Sequence, residues 1–306
     1  MSTAATGQVL VAYGGHGVVE TREQGAVPVL FRRAVGRPCC GDRVRLAPTA
    51  DGAQVVEEIL PRDNAFLRAD ARGRPQRVAA NLDQVLVIVA NRPLPSRDLL
   101  DRYLVATHSL GITPVIVNNK VDLPRDESAP GAATLARLNA YRALGYEVAR
   151  TSCKGPPGVA ELEPRVAGRT SILVGQSGVG KSSLINRLVP DRAVQTGALS
   201  RVTGKGTHTT TTTMLYRLPG GGSLIDSPGV WEFGLWRLEP EQIAAGFREF
   251  APWLGACRFN DCRHDSEPGC AVKAAVAAGD IADWRYAAYL RLLKQNDAAV
   301  ARENPG

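Results

Sequence analysis

The chain has 306 residues, a formal net charge of +7 and a pI near 9.3, with 44% hydrophobic and 22% charged residues. This length suits about two domains, or three if some are small, and no apolar run approaches the ~18 residues of a membrane span. The N-terminal segment lacks the pattern of a secretion signal, so we expect a soluble, cytoplasmic protein. The positive balance favours a polyanionic partner such as nucleic acid.

The N-terminal part is rich in short β-type segments separated by Gly, Pro and Asp turns. Five such segments span residues 9–13, 17–21, 27–31, 43–48 and 55–60. This pattern predicts a small barrel or sandwich, and the pattern alone does not choose between them. A polar, arginine-rich connector, residues 61–75, then leads to a second domain that begins near residue 80.

Strands and helices alternate through the middle of the chain. The unbroken apolar character of residues 83–90 suits a strand that is buried on both faces of a parallel sheet. Further strands are predicted at 113–118, 147–151 and 170–174, and helices at 97–110, 132–144 and 180–188. Such alternation predicts a doubly wound α/β sheet.

The remaining third is less regular. Residues 196–213, rich in Thr and Gly, are expected to form a mobile loop, and a hairpin-like pair of strands follows at 214–218 and 223–225. From about residue 246 the chain carries a Cys/His cluster and then an amphipathic tail, 280–299. The apolar residues of this tail recur at roughly helical spacing and are Ile281, Trp284, Tyr289, Leu292 and Leu293.

A phosphate-binding motif follows the predicted strand 170–174 and opens the helix 180–188. Gly175-Gln-Ser-Gly-Val-Gly-Lys-Ser182 matches G-x-x-x-x-G-K-[ST] at every required position. Its glycines let backbone amides point at phosphate oxygens, Lys181 neutralises charge on the β- and γ-phosphates, and Ser182 offers an oxygen ligand to Mg²⁺. The alternative is a glycine-rich turn. The residues assigned to the nucleotide here are Gly175, Gln176, Ser177, Gly178, Val179, Gly180, Lys181, Ser182 and Ser183.

A second phosphate-side motif, Asp226-Ser-Pro-Gly229, ends a short apolar strand. Asp226 would hold Mg²⁺ through a water molecule, and Gly229 would offer its amide to the γ-phosphate. Asp-Ser-Pro-Gly is also a good turn sequence, so the motif gains its meaning from the phosphate loop that precedes it.

A base-recognition motif, Asn119-Lys-Val-Asp122, follows the predicted strand 113–118. Asp122 can accept two hydrogen bonds from guanine, which adenine cannot supply, while Asn119 can bond the O6/N7 edge and brace neighbouring loops. Lys120 would lie along the base plane, and the alternative for the tetrapeptide is a solvated turn before Pro124. A further loop after a strand would support guanine through its backbone amides and comprises Ser152, Cys153 and Lys154.

These four motifs resemble the recurring signatures of the small GTPase fold: N-K-x-D, [ST]-x-K, G-x-x-x-x-G-K-S and D-x-P-G. In the usual family the phosphate motif comes first and N-K-x-D comes last, whereas here the order is rotated. The resemblance therefore implies a circularly permuted P-loop GTPase that uses GTP, GDP and Mg²⁺. Permutation keeps the site intact because the loops still gather at one edge of the sheet.

Catalysis in such a protein needs a switch loop, and residues 204–213 stand where it belongs. Any of Thr209 to Thr211 could complete Mg²⁺ coordination, and the resemblance favours Thr210. Val230 stands where many GTPases carry a water-orienting Gln, so His208 is the candidate that positions the attacking water. The alternatives are a flexible low-complexity loop and a His208 that is merely exposed or binds a partner. The catalytic residues expected are His208, Lys181 and Thr210.

A Cys/His cluster has the composition of a closed tetrahedral zinc site. Its four ligands are Cys257, Cys262, His264 and Cys270. A structural Zn²⁺ here would staple a small loop, with Phe259 and Trp253 as apolar supports. The alternative is a group of unrelated buried thiols. Outside the cluster, three structural thiols are expected at Cys39, Cys40 and Cys153.

Permuted GTPase motifs, a small barrel in front, G-x-H-T-T-T in the switch loop and C-x₄-C-x-H-x₅-C behind it together resemble the ribosome small-subunit-dependent GTPases, the RsgA (YjeQ) family. The resemblance covers essentially the whole chain. It implies an OB-fold barrel (1–78), a circularly permuted GTPase domain (79–245) and a zinc-binding, mostly helical domain (246–306). In the barrel, residues 37–44 keep only the G-D-x-V part of the family's turn, so RNA-contacting residues are not carried over.

The same resemblance implies GTP hydrolysis that the small ribosomal subunit stimulates, in late maturation of that subunit. We expect contact with rRNA, no membrane or DNA partner, and a monomer. A nucleotide-gated RNA-binding module, or a GTP sensor of another assembly, is the alternative, and Asp122 argues against an ATPase.

Overall fold

The computed structural model describes residues 5–69, 75–129, 131–203, 212–226 and 238–303. The chain divides into two compact units, and each is described separately. The first comprises residues 1–93, 115–124 and 149–232, and the second comprises 94–114, 125–148 and 233–306. Among the residues described, no helix combines the length and the apolar character that crossing a membrane requires.

The first unit begins with a closed five-stranded barrel. Its strands are β1 (Ala5–Ala12), β2 (His16–Thr21), β3 (Gly25–Phe31), β4 (Arg43–Pro48) and β5 (Gln54–Ile59). The order is β1-β2-β3-β5-β4, and β4 pairs back onto β1, with β3 and β5 parallel. A barrel, rather than a sandwich, is therefore the outcome, and its five-stranded arrangement is that of an OB-fold. The barrel core is formed by Val9, Val19, Val29, Val44, Leu46 and Val56.

The predicted connector at 61–75 is wrong in part, because it contains a strand. Strands β6 (Ala65–Ala69) and β7 (Pro75–Ala80) form an antiparallel pair in which Phe66 lies opposite Ala79. Phe66 is fully buried and helps to anchor the pair.

The α/β sheet continues from the barrel. Its strands are β8 (Gln84–Ala90), β9 (Thr113–Asn119), β10 (Glu147–Arg150), β11 (Thr170–Val174), β12 (Met214–Arg217) and β13 (Ser223–Asp226). They lie in the order β10-β9-β8-β11-β13-β12, with β11 parallel to both β8 and β13. Every residue of β8 is buried, as the predicted central strand requires. A pairing of Val11 with Met214 joins β1 to β12.

The described residues of the first unit also form the helices α4 (Glu163–Val166), α5 (Lys181–Leu188) and α6 (Arg192–Thr203). The expected loop at 196–213 is thus helical up to Thr203. Tertiary contacts explain the difference, because the Gln195 side chain hydrogen-bonds both the N–H and the C=O of Arg217, at 3.0 and 3.1 Å. These two hydrogen bonds to β12 stabilise the helix and offset the low helix propensity of its Thr and Gly residues.

The second unit is helical. Its helices are α1 (Leu99–Ser109), α2 (Ala132–Ala136), α3 (Leu138–Ala143), α7 (Pro240–Ala245), α8 (Ala271–Ala278) and α9 (Asp283–Glu303), with a 3₁₀ helix at Arg248–Trp253. The predicted continuous helix at 132–144 is wrong, since Arg137 leaves helical geometry with φ −91° and ψ 5°. The amphipathic tail is α9, and Tyr289, Leu292 and Leu293 are buried in the core of this unit.

A buried arginine connects three elements of the second unit. Arg285 of α9 is 1% exposed and pairs with Asp101 of α1 and Glu249 of the 3₁₀ helix. The Tyr141 hydroxyl donates to Asp101 at 2.7 Å, and the Phe247 ring lies 4.4 Å from the guanidinium. Buried charges are tolerated when their partners are also charged and hydrogen-bonded, so this network fixes the relative positions of its elements.

Candidate nucleotide site and metal cluster

The phosphate loop joins β11 to α5 in a conformation that depends on glycine. Gly175 has φ +147°, and a Cβ there would lie 2.4 Å from the Ile88 carbonyl oxygen. Gly180 has φ +98°, and a Cβ there would lie 2.5 Å from the Asn119 side-chain nitrogen. Both positions exclude larger residues because backbone or a buried side chain occupies that space. Ser177, Gly178, Ser182 and Ser183 are exposed, so the helix N-terminus faces solvent.

Lys181, the first residue of α5, curls back over this loop. Its Nζ donates to the carbonyl oxygens of Gly175 and Gln176, at 2.7 and 3.0 Å. Burial lowers the pKa of the Lys181 ammonium, and the Asp226 carboxylate opposes that shift. A cation held in this place adds to the positive end of the α5 dipole, which suits an anionic ligand.

Two residues of the base motif lock the phosphate loop. The buried Asn119 side chain donates from Nδ2 to the Val179 carbonyl at 2.8 Å and accepts from the Thr151 hydroxyl at 3.0 Å. Lys120, which has φ +57°, donates from Nζ to the Gly178 carbonyl at 2.6 Å. Loops that are far apart in the sequence therefore form one structure at the edge of the sheet.

The Asp122 carboxylate is exposed and is oriented by a serine. Ser152 is buried and donates from Oγ to Asp122 Oδ1 at 2.5 Å. The same hydroxyl oxygen accepts from the backbone N–H groups of Lys154 and Gly155, at 3.2 and 3.1 Å. These hydrogen bonds direct the Ser152 hydroxyl proton toward the Asp122 carboxylate. The outer edge of the carboxylate stays open to a base.

Cys153 and Lys154 complete the supporting loop. Cys153 is half-buried and packs against the core of the first unit, and burial raises the pKa of its thiol while Arg187 opposes the shift. A protonated thiol is not a nucleophile at neutral pH, so Cys153 contributes packing. Lys154 is exposed.

Asp226, at the end of β13, faces an arginine that the motifs did not indicate. Arg192 of α6 donates from Nη2 to Asp226 Oδ2 at 2.5 Å and from Nη1 to Asn186 Oδ1 at 2.7 Å. Burial raises the pKa of Asp226, while Arg192 and Lys181 act in the opposite direction. A single arginine in an unremarkable helix carries no sequence signal, which is why this contact was missed.

Residues 204–211 of the switch loop and the end of the second phosphate motif lie outside the described residues. This applies to His208, Thr209, Thr210, Thr211, Gly229 and Val230. Their assignments stay predictions.

The structure brings Cys257, Cys262, His264 and Cys270 together, with their ligand atoms all within 4.8 Å of one another. The Sγ atoms of Cys257 and Cys270 are 3.9 Å apart, and His264 Nδ1 lies 3.5 and 3.4 Å from them. Zinc bonds of about 2.3 Å to sulfur and about 2.0 Å to nitrogen, at tetrahedral angles, give edges of about 3.8 Å and about 3.5 Å. The three edges among Cys257, His264 and Cys270 therefore match a tetrahedral Zn²⁺, and Cys262 lies within 4.8 Å of them as the fourth ligand.

The backbone around the cluster is held by two tyrosines that sequence reasoning did not single out. The Tyr286 hydroxyl donates to the His264 carbonyl at 2.8 Å, and the Tyr289 hydroxyl donates to the Arg263 carbonyl at 2.6 Å. Trp253 packs against the core as expected, but Phe259 is 41% exposed and is not a buried support. The two tyrosines of α9 support the cluster instead, because their hydroxyls also donate hydrogen bonds to backbone carbonyls beside it.

A base motif that precedes and locks a phosphate loop, behind an OB-type barrel, defines the class of circularly permuted GTPases. A profile of the family described as RsgA GTPase matches residues 59–236. The small ribosomal subunit biogenesis GTPase RsgA of Chromohalobacter salexigens is 51% identical over 253 residues, covering 83% of this chain and 74% of the relative. The protein of the same name from Marinobacter nauticus is 45% identical over 302 residues, 97% of this chain and 86% of the relative.

Two solved structures are similar throughout. YjeQ from Thermotoga maritima has a TM-score of 0.77 and 32% identity, covering 96% of this chain and 99% of that one. YloQ, described as a circularly permuted GTPase, has a TM-score of 0.75 and 28% identity, covering 97% of this chain and 96% of that one. The chain belongs to the RsgA GTPase family, and the resemblance drawn from its motifs is confirmed.

Proposed function

We propose that this GTPase binds the small ribosomal subunit and hydrolyses GTP when the subunit stimulates it, during late maturation of that subunit. The observation that carries the GTP assignment is the contact of Asn119 Nδ2 with the Val179 carbonyl, at 2.8 Å, which joins base and phosphate loops. The ribosomal partner is proposed from the names of the relatives, which are small ribosomal subunit biogenesis GTPases.

The nucleotide is held by residues on both sides of the site. Backbone amides from Gly178 to Ser182 cradle the phosphates, and Lys181 leaves its loop carbonyls to neutralise the β- and γ-phosphates. Asp122 accepts from guanine N1 and N2, and Ser152 keeps the carboxylate turned for this purpose.

Metal binding belongs to the phosphate side. Ser182 and Thr210 would ligate Mg²⁺ directly, and Asp226 would hold it through water. When bound, the metal would offset the negative charge that develops on the phosphate oxygens. Gly229 would offer its amide to the γ-phosphate.

Hydrolysis is expected to be slow without a partner. Val230 cannot orient water, so His208 of the switch loop is proposed to position the attacking water. Binding to the subunit would place His208 against that water, which makes the partner an activator.

The barrel and the zinc-binding part are proposed to contact rRNA, in keeping with a net charge of +7. Cys257, Cys262, His264 and Cys270 would hold one structural Zn²⁺, and with four ligands the metal keeps no open position. We further propose that the protein acts in the cytoplasm as a monomer.

Cosedimentation tests the choice of partner. At about 0.15 M salt, which suppresses non-specific binding of a basic protein, we expect the chain to pellet with small subunits when a non-hydrolysable GTP analogue is present. Less of the chain should pellet with small subunits when GDP replaces the analogue. The large ribosomal subunit is the control, because it is also a polyanion. Equal recovery with both subunits, or with neither, would contradict the proposal.

A further inference from the structure

The helical unit contains a cavity of about 330 Å³ that the GTPase reaction does not use. It lies among the residues before α1, the junction of α2 with α3, and α9. The side chains that give it its chemistry are Arg97, Asp98, Thr134, Arg137, Trp284 and Arg291. Its volume is near the lower end of ligand pockets and suits one nucleotide rather than a folded segment.

The cavity carries an excess of positive charge. Arg291 forms a bidentate salt bridge with Asp98, at 2.8 and 2.6 Å, so these two charges offset each other. Arg97 and Arg137 are exposed, and within the described chain no carboxylate pairs with either of them. Two guanidinium groups are therefore available to an anion.

A rigid flat surface lies beside these charges. The Arg137 guanidinium lies 4.8 Å from the centre of the Trp284 ring. Tyr141 packs edge-on against Trp284, at 5.4 Å and 66°, and its hydroxyl is fixed by Asp101. Aromatic rings and guanidinium planes are the surfaces on which unpaired bases stack.

The backbone departs from regular geometry at two residues of this cavity. Asp98 has φ +63°, in the left-handed region, and its pair with Arg291 holds it there. Arg137 separates α2 from α3, and this break carries its side chain to Trp284. Irregular backbone concentrates at binding sites because the surrounding contacts must hold it.

We propose that this cavity binds one nucleotide unit of single-stranded RNA, with the phosphodiester on Arg97 and Arg137 and the base stacked on the Trp284–Arg137 surface. The proposal rests on the proposed ribosomal function, which supplies the RNA. Its residues all belong to the helical unit, whereas the GTP loops belong to the other unit. An acidic peptide would use the charges but not the flat surface, so RNA is the ligand favoured.

Fluorescence anisotropy with a labelled single-stranded RNA oligonucleotide tests this site in the full chain. We expect Arg97→Ala/Arg137→Ala to weaken binding at least about tenfold and to reduce the slope of log K against log salt by about 0.7, for the one phosphate that both arginines contact. Arg137→Lys keeps the charge but loses the planar stack, so it should weaken binding with little change in slope.

The matched control is Arg150→Ala/Arg169→Ala, which removes two exposed charges of the other unit, outside both the barrel and the zinc-binding part. An equal loss in this control, an equal loss for duplex RNA, or displacement of the RNA by oligoglutamate alone would overturn the proposal. The GDP affinity of the Arg97/Arg137 variant distinguishes a failure of the RNA-binding cavity from a failure of the proposed GTPase function. Normal GDP binding and subunit cosedimentation with unchanged RNA affinity would reject the cavity and keep the proposed function.

Discussion

An Asp122→Asn variant is expected to bind GTP about 10³-fold more weakly than the parent chain and to prefer xanthosine triphosphate. The carboxylate accepts from two guanine N–H groups, whereas an amide presents one acceptor and one donor. The amide donor of the variant would face the guanine N2 amino group, but it matches the O2 acceptor of xanthine. The variant loses one hydrogen bond to a charged group, at about 1.5–3 kcal/mol, and leaves the guanine amino group facing a donor, at about 1–3 kcal/mol more, which accounts for a change of this size.

Equilibrium titration with fluorescent GDP and xanthosine diphosphate measures this exchange. Asp280→Asn is the matched control, since Asp280 is an exposed carboxylate of the other unit. Its nucleotide preference should equal that of the parent chain. If Asp122→Asn kept the parent's GTP affinity, guanine recognition would have to be assigned elsewhere.

Loss of one cluster ligand, Cys262→Ala, is expected to abolish zinc binding and to destabilise the helical unit. Cys262 and Cys270 are part of the apolar core of that unit, so the metal site and the core are continuous. A destabilisation of about 4 kcal/mol would lower Tm by about 8–16 °C. Metal content per chain and thermal unfolding give the two readouts.

Cys39→Ala provides the comparison, because Cys39 is also a buried cysteine but lies in the barrel, outside the cluster. It should retain one zinc per chain. A parent chain purified under reducing conditions with far less than one zinc, or a Cys262→Ala chain that keeps its metal, would contradict the assignment.

Local signals account for the parts of the fold that sequence reasoning predicted well. The predicted strand at 170–174 has the same bounds as β11, and α5 begins at Lys181, one residue inside the predicted helix. Strand, glycine loop and helix are adjacent in the chain, so their pattern is complete in a short window. The four cluster ligands are likewise close in sequence, and the structure brings them together.

Non-local contacts explain what was missed. The β6–β7 pair depends on Phe66 meeting Ala79, and α6 depends on Gln195 meeting Arg217. The pairing of Arg192 with Asp226 joins residues 34 positions apart. None of these contacts leaves a periodic pattern or a motif, because each is decided by packing in the folded chain.

Steady-state phosphate release from GTP and from ATP, with and without purified small ribosomal subunits, tests the central claim most directly. We predict slow release from GTP alone, a stimulation of at least about tenfold by the subunits, and no comparable stimulation with ATP. GTP hydrolysis that the subunits leave unchanged, or an equal stimulation of ATP hydrolysis, would contradict the account.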